Sequence, residues 1–293
     1  TNNILDSGEK PAVISAIMKQ QTTERGRNVL NDGMDIHAGS SICMGYNNFL
    51  EKFYRAAPVG ITVEGSNTLT KNLIIFGQGI NKSHPYIYPI LDSILNNDVT
   101  NFKTNFNKMI GHCLGLYSKN LFSFTNSIEN QTITFANLSN FVALLGGEIK
   151  RNQSLSGDMA DLLSNLYMAY SVKWYQQNFN TSQILTDYCV NRLVIENNLI
   201  INRIIDNYPN KLRYLLVPFK QKKASFNYEN NRILIDEIQT NENIMKEIKS
   251  NITMCDYLKD LSKLDNTDNR TELYQELYNK VISVGEYEII NKN

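Results

Sequence analysis

Long runs of apolar residues at helical spacing dominate the sequence, and few residues interrupt them. Between residues 101 and 124, apolar side chains recur every three or four positions, which is the spacing of one helix face. Only six prolines and fifteen glycines occur in 293 residues, which is sparse for an all-β protein with its many turns. The sequence therefore predicts an all-α fold built from helical bundles.

The first 88 residues form one predicted helical unit. A long helix is expected over residues 9–36, and a shorter one is expected to end at Pro58, because proline interrupts helical hydrogen bonding. Residues 59–65 are expected to form a brief extended or turn element. A third helix is expected over residues 66–79.

Residues 89–293 form a second predicted unit with longer amphipathic helices. Ser156 and Asp158 are capping candidates at the start of one of them. Trp174, near the end of the same helix, is expected to be a core residue.

The composition argues against several classes of function. Lys and Arg together number 29, as do Asp and Glu, so the formal net charge is zero and no nucleic-acid partner is expected. Cysteines stand far apart, at positions 43, 113, 189 and 255, which indicates a reducing compartment and no metal site. No apolar run approaches the roughly 20 residues of a membrane-spanning helix. We therefore expect a cytoplasmic protein.

Glu64 is the first candidate for chemistry, because it lies between an apolar run and a Gly-Ser turn. Its apolar neighbours Ile61, Val63 and Leu69 indicate a partly desolvated site, and a desolvated carboxylate is a better general base. An acid at a helix start is also stabilised by the helix dipole. Spacing alone favours this simpler structural role for Glu64.

The small-residue segment DIHAGSSICMG, residues 35–45, is the second candidate. Small residues after a helix either cradle a phosphate or turn the chain. The segment matches neither a P-loop nor a GxGxxG pattern, so a turn is the favoured interpretation from the residues alone.

Three motifs resemble segments of the acyl-CoA dehydrogenases. The family's xQIxGGxGY segment is similar to Asp35–Gly39, its LxRDA segment to Tyr54–Ala57, and its IYEGTSQIQ segment to Val63–Ser66, in the same order and spacing. LGGEIKR, GDMADLLSNLYMA and NYPNKLRYLLVPF resemble the extra C-terminal domain of large bacterial fatty-acyl-CoA dehydrogenases of the FadE type.

The resemblance implies a fold and a function. Residues 1–88 would be the end of the dehydrogenase helical core, and residues 89–293 an extra α-helical domain. The implied activity is the FAD-dependent oxidation of fatty acyl-CoA to trans-2-enoyl-CoA in fatty-acid β-oxidation. The implied partners are an electron-transfer flavoprotein or similar acceptor and further copies in a homo-oligomer, with peripheral contact with the inner membrane as an option. The family's N-terminal helical domain and β-domain have no counterpart here, so we expect this portion to be inactive alone.

The resemblance also assigns roles around Glu64. This residue matches the family's catalytic base, which removes the α-proton, and its backbone N–H is expected to bond the thioester carbonyl. Gly65, Ser66 and Thr68 fall where the family contacts FAD.

A second set of FAD contacts is implied at Asp35, Ala38 and Gly39, on the segment that meets the cofactor's pyrophosphate and adenosine half. Asp35 replaces a glutamine of the family pattern, and Ala38 and Ser41 replace glycines. These substitutions place an anion and two side chains where the backbone is expected to lie close to the cofactor.

A rival interpretation is a non-enzymatic helical module. Residues 89–293 would then serve oligomerisation, or docking to a membrane or a partner protein, whatever the role of Glu64.

Overall fold

The computed structural model describes residues 1–44, 48–122, 127–179, 181–222, 224–225, 227–250 and 263–284. Helices and their connections account for all of these residues, and the described ranges contain no strand, so the predicted all-α fold is confirmed. The chain divides into two compact units, residues 1–232 and residues 233–293. A natural domain boundary near residue 88 stays a prediction.

The first 95 residues contain one long helix and several short ones. They are α1 (Asn2–Asp6), α2 (Ala12–His37), α3 (Gly39–Ile42), α4 (Glu51–Thr62), α5 (Asn67–Leu69), a π-helix (Thr70–Gln78), α6 (Gly79–Ser83) and α7 (Ile87–Leu95).

Longer helices follow. They are α8 (Val99–Leu121), α9 (Ile128–Ala143), a 3-10 helix (Gly146–Lys150), α10 (Gln153–Phe179), α11 (Gln183–Asp206), α12 (Arg213–Leu216), a 3-10 helix (Val217–Phe219), α13 (Tyr228–Thr240), α14 (Glu242–Ser250), a 3-10 helix (Lys263–Asn266) and α15 (Arg270–Val284).

The core of the first unit forms around α10, which packs against α9, α11 and the π-helix. Because neighbours cover several sides of α10, its buried apolar residues are spread around its circumference rather than along one stripe. Fully buried side chains from all four helices meet there, among them Phe76, Leu138, Met159, Ile201 and Ile204.

A buried amide pairs α9 with α11 within this core. Gln131 Nε2 donates to the Val194 carbonyl and to Asn198 Oδ1, each at 2.9 Å, and Gln131 Oε1 accepts from Asn197 Nδ2 at 2.9 Å. Because an unpaired amide is costly in a core, these bonds favour a single register of the two helices.

The expectation that Pro58 ends its helix is wrong. α4 continues to Thr62, and Val63 is the first extended residue. Proline removes one helical N–H, but α4 packs on α2, where a Cβ built on Gly60 would lie 3.4 Å from the Thr23 methyl group. Tertiary contact thus carries the helix past the proline.

Two expectations about α10 are also wrong. The helix begins before Ser156 and Asp158, and neither caps it: Ser156 bonds the π-helix, and Asp158 accepts two hydrogen bonds from Arg203, at 2.6 and 2.8 Å. Trp174 is 48% exposed, and its ring meets Phe179 edge-on with centroids 6.1 Å apart.

The described histidines and cysteines form no metal site. His84 Nε2 pairs with Asn140 Oδ1 at 2.9 Å, and burial together with nearby His84 lowers the pKa of His112. The described ranges hold no group of three or more His, Cys, Asp or Glu side chains placed to bind a metal, while Cys255 lies outside them. No described helix is both long and apolar enough to cross a membrane.

Candidate functional site

Glu64 lies in a tight turn between α4 and α5. Its φ is +53° and that of Gly65 is +84°, so two successive residues adopt the left-handed conformation. For a non-glycine residue this conformation is uncommon and costs about 1 kcal/mol or more, and such strain clusters at functional sites. Because α4 continues to Thr62, the predicted extended or turn element over residues 59–65 is limited to residues 63–65.

The environment of Glu64 differs from the expected desolvated one. Glu64 is exposed, and its apolar neighbours Val63 and Leu69 are 46% and 45% exposed. The described residues around the turn therefore leave the carboxylate in solvent. Ser66, rather than Glu64, caps α5, since its Oγ accepts a hydrogen bond from the Leu69 N–H at 3.3 Å.

Four polar side chains, Lys19, Thr23, Glu24 and Asn67, join the turn to α2; we call them the anchor cluster. Asn67 is only 3% exposed. Its Nδ2 donates to Thr23 Oγ1 at 2.9 Å and to Glu24 Oε1 at 3.0 Å, and its Oδ1 accepts from Lys19 Nζ at 2.7 Å. The amide thus uses both ends to hold the turn on the helix.

The anchor cluster also fixes the backbone next to Glu64. Lys19 Nζ donates to the Gly65 carbonyl at 2.8 Å, and Thr70 Oγ1 donates to the same oxygen at 3.2 Å. Two donors from different elements therefore hold the peptide between Gly65 and Ser66, one residue beyond Glu64. None of these partners was identified from the sequence, because Lys19 and Gly65 are 46 residues apart.

The second candidate segment spans the end of α2, the turn at Ala38 and the whole of α3, and its last residue, Gly45, lies outside the described residues. Asp35, Ala38 and Gly39 are all exposed, and Ala38 has a φ of +47° and a ψ of −126°. That backbone conformation favours glycine, which is the residue that the family pattern has at this position. The alanine therefore retains the turn at some cost in strain.

Ser41 does not add bulk to the exposed face of this segment, contrary to expectation. It is buried, and its Oγ donates to the carbonyls of Met34 and Ala38 at 2.8 and 2.6 Å. Each of these carbonyls also accepts a backbone hydrogen bond, from the Ala38 N–H and the Ser41 N–H respectively, so the hydroxyl adds a second bond to each at the C-terminal end of α2.

We expect Ala38→Gly to raise the free energy of unfolding by about 1 kcal/mol, because glycine relieves the strain of the positive φ. Urea unfolding followed by the fluorescence of the chain's single tryptophan would measure it. Ala56→Gly, at an exposed position inside α4, is the matched control and should lower the stability by about 1 kcal/mol. Equal losses in both variants would contradict the prediction.

Comparison with known families decides where the chain belongs. Residues 117–292, more than half of the chain, match the family model for the acyl-CoA dehydrogenase C-terminal domain of bacterial type. The chain belongs to the acyl-CoA dehydrogenase family. No solved structure matches it. The matched residues include α9, α10 and α11 but neither candidate segment, so the roles of individual residues stay predictions.

Members of the acyl-CoA dehydrogenase family generally bind FAD, and the positions of the two candidate segments determine whether both could contact one such cofactor. Gly65 and Ser66 lie in the Glu64 turn and Thr68 in α5, whereas Asp35 lies eleven residues beyond Glu24 on α2, or about 16 Å along the helix axis. The structure thus forms two separate patches: Asp35, Ala38 and Gly39 are exposed, whereas Gly65 and Ser66 are half buried. Nothing lies within 4 Å of a Cβ built on Gly39, so the backbone there is open to a ligand. Both patches fit contacts with different parts of an extended cofactor.

Proposed function

We propose that this chain is the C-terminal portion of a FAD-dependent acyl-CoA dehydrogenase, which oxidises fatty acyl-CoA to trans-2-enoyl-CoA in fatty-acid β-oxidation. The observation that supports this most is the conformation of Glu64 in a chain of this family. An exposed carboxylate is held in a strained turn whose backbone is fixed by Lys19 and Thr70. A base that must meet one carbon atom of a substrate requires such fixed geometry.

In the proposed reaction the Glu64 carboxylate takes the proton from the substrate's α-carbon. The Glu64 backbone N–H donates to the thioester carbonyl oxygen and stabilises the charge that develops there. When bound, FAD would supply the acceptor for the hydride that leaves the β-carbon, so that a double bond is left between the two carbons. Gly65, Ser66 and Thr68 would hold the cofactor next to the base, and Asp35, Ala38 and Gly39 would hold its pyrophosphate and adenosine half.

The substrate itself would supply the desolvation that the free turn lacks. Val63, next to Glu64 in the chain, and Leu69, five residues beyond it, present exposed apolar surface. A fatty acyl chain lying on this surface would displace water from the carboxylate and increase its basicity.

The proposal extends to location and partners. We place the enzyme in the cytoplasm, with peripheral contact with the inner membrane, as a homo-oligomer that passes electrons to an electron-transfer flavoprotein or similar acceptor. The exposed apolar side chains of α7 and α8 support a contact surface of this kind: Tyr88, Leu91, Ile94, Leu95, Val99, Phe106, Ile110 and Leu114. The same surface supports the rival function, a helical module for oligomerisation or docking.

Anaerobic titration of the natural full-length protein with acyl-CoA thioesters of increasing chain length tests the proposal. Bound flavin should lose its visible absorbance with at least one thioester, because the substrate reduces it. Flavin that stays oxidised with every thioester would favour the helical-module function. The 293-residue chain alone should not bind FAD tightly, and tight binding with bleaching by acyl-CoA would show that it is active alone.

A further inference from the structure

The π-helix that follows the Glu64 turn rests directly on the first turns of α10. Ser156 Oγ donates to the carbonyl of Asn72 at 2.5 Å, and Lys71 Nζ pairs with Asp161 Oδ2 at 2.5 Å. Ser156 and Asp161 lie inside the matched C-terminal domain, whereas Lys71 and Asn72 lie outside it. Two side-chain contacts therefore join that domain to the segment that carries Glu64.

Gly157 allows the two helices to approach this closely. A Cβ built on it would lie 2.6 Å from Asn72 Oδ1 and 3.2 Å from Lys71 Cε. The first distance is shorter than a real contact allows, so a side chain at this position would displace the π-helix or its side chains. The absence of a side chain at position 157 thus leaves the space on α10 that the side chains of Lys71 and Asn72 occupy.

The π-helix is itself an uncommon element. Hydrogen bonding of the i→i+5 type is rare in proteins, where it mostly forms single turns, and these are frequently found at functional sites. Here it covers nine residues, Thr70–Gln78, and buries Ile75 and Phe76 in the core. Its first residue, Thr70, bonds the Gly65 carbonyl. Displacement of the π-helix would therefore be transmitted to the turn that holds Glu64.

The ion pair of Lys71 and Asp161 fixes the position of the π-helix on α10 and contributes little to the free energy of unfolding. Burial raises the pKa of the Asp161 carboxyl, while Lys71 acts in the opposite direction. Both side chains are half buried, and an ion pair partly removed from water offsets most of its own desolvation cost and little more. A role in placing the π-helix accounts for it better than a role in stability.

We propose that Ser156, Gly157 and Asp161 are positioning residues, through which the C-terminal domain sets the place of the Glu64 turn. The inference rests on the proposed function of Glu64. It gives the first turns of α10 a part in the reaction although they touch neither substrate nor cofactor.

Gly157→Ala distinguishes a positioning role from a purely structural one, because its expected effects on the stability of α10 and on the position of the π-helix are opposite. Alanine raises the helix propensity of α10, while its methyl group pushes on Asn72. Hydrogen exchange of the 293-residue chain should show several-fold faster exchange of the amides of residues 69–78, with little change in Tm. The matched control is Gly115→Ala on α8, where nothing lies within 4 Å of the added Cβ, and this variant should leave those amides unchanged.

In the natural full-length enzyme, Gly157→Ala should lower kcat by about 10- to 100-fold, with a smaller change in KM and unchanged flavin content. Ser156→Ala, which removes one bond without adding bulk, should give the same pattern more weakly, and it serves if Gly157→Ala does not fold. Wild-type exchange rates and kcat in both variants would overturn the proposal. If Glu64→Gln retains activity, the proposed function fails instead, whatever the exchange data show.

Discussion

Glu64→Gln in the natural full-length enzyme should lower kcat for acyl-CoA dehydrogenation by about 1000-fold or more, and flavin should remain bound. The amide has nearly the size of the carboxylate, but it cannot take up the α-proton, and a positioned base contributes up to about 10⁴-fold to such a step. Because the backbone N–H at position 64 is retained, substrate binding should change little. Stopped-flow reduction of the flavin by acyl-CoA measures the chemical step directly.

Two further variants show whether the loss of kcat in Glu64→Gln comes from the missing base. Glu51→Gln removes a carboxylate of α4 that pairs with Arg55 at 3.2 Å, and it should leave kcat unchanged. Glu64→Asp keeps the charge but withdraws it by one methylene, so its kcat should lie between those of the wild type and Glu64→Gln. Activity that survives in Glu64→Gln would mean that the base lies elsewhere in the protein.

The helices were predictable where the spacing of apolar residues alone determines them. The segment 182–207 has apolar residues at helical spacing, and α11 occupies residues 183–206. Trp174 was wrongly expected in the core, since the buried residues of α10 run from Leu155 to Ala169 and Trp174 lies beyond them. Pro58 was misleading because the helical propensity of a short segment does not include its packing on α2.

The candidate site was predictable only in part. Motif order places Glu64 in a turn, but its left-handed backbone and its exposure depend on where α4 and α5 are held. The anchor cluster was not predictable, since a lysine in the middle of α2 and an asparagine at the start of α5 have no local pattern that pairs them. Their contact exists only once the two elements have packed.

Asn67→Ala should lower the free energy of unfolding of the first unit by about 3 kcal/mol. The side chain is buried and makes three hydrogen bonds, two of them with the charged groups of Lys19 and Glu24. Each such bond contributes about 1.5–3 kcal/mol, and its loss leaves a partly buried charge without one of its partners. Trp174 lies in this unit, so urea unfolding followed by its fluorescence reports the change.

The same residue tests whether the anchor cluster serves only the fold. Asn67→Asp keeps an acceptor for Lys19 but turns a carboxylate toward Glu24, so repulsion should weaken the Glu24 side of the cluster. In the full-length enzyme both variants should lower kcat more than they change KM, because the Gly65 carbonyl next to the base loses its fixed position. Asn101→Ala removes an exposed amide bonded to Asp98 and should alter neither property by a comparable amount. A large loss of stability in Asn67→Ala with wild-type kcat would show that the cluster holds the helices together without placing Glu64.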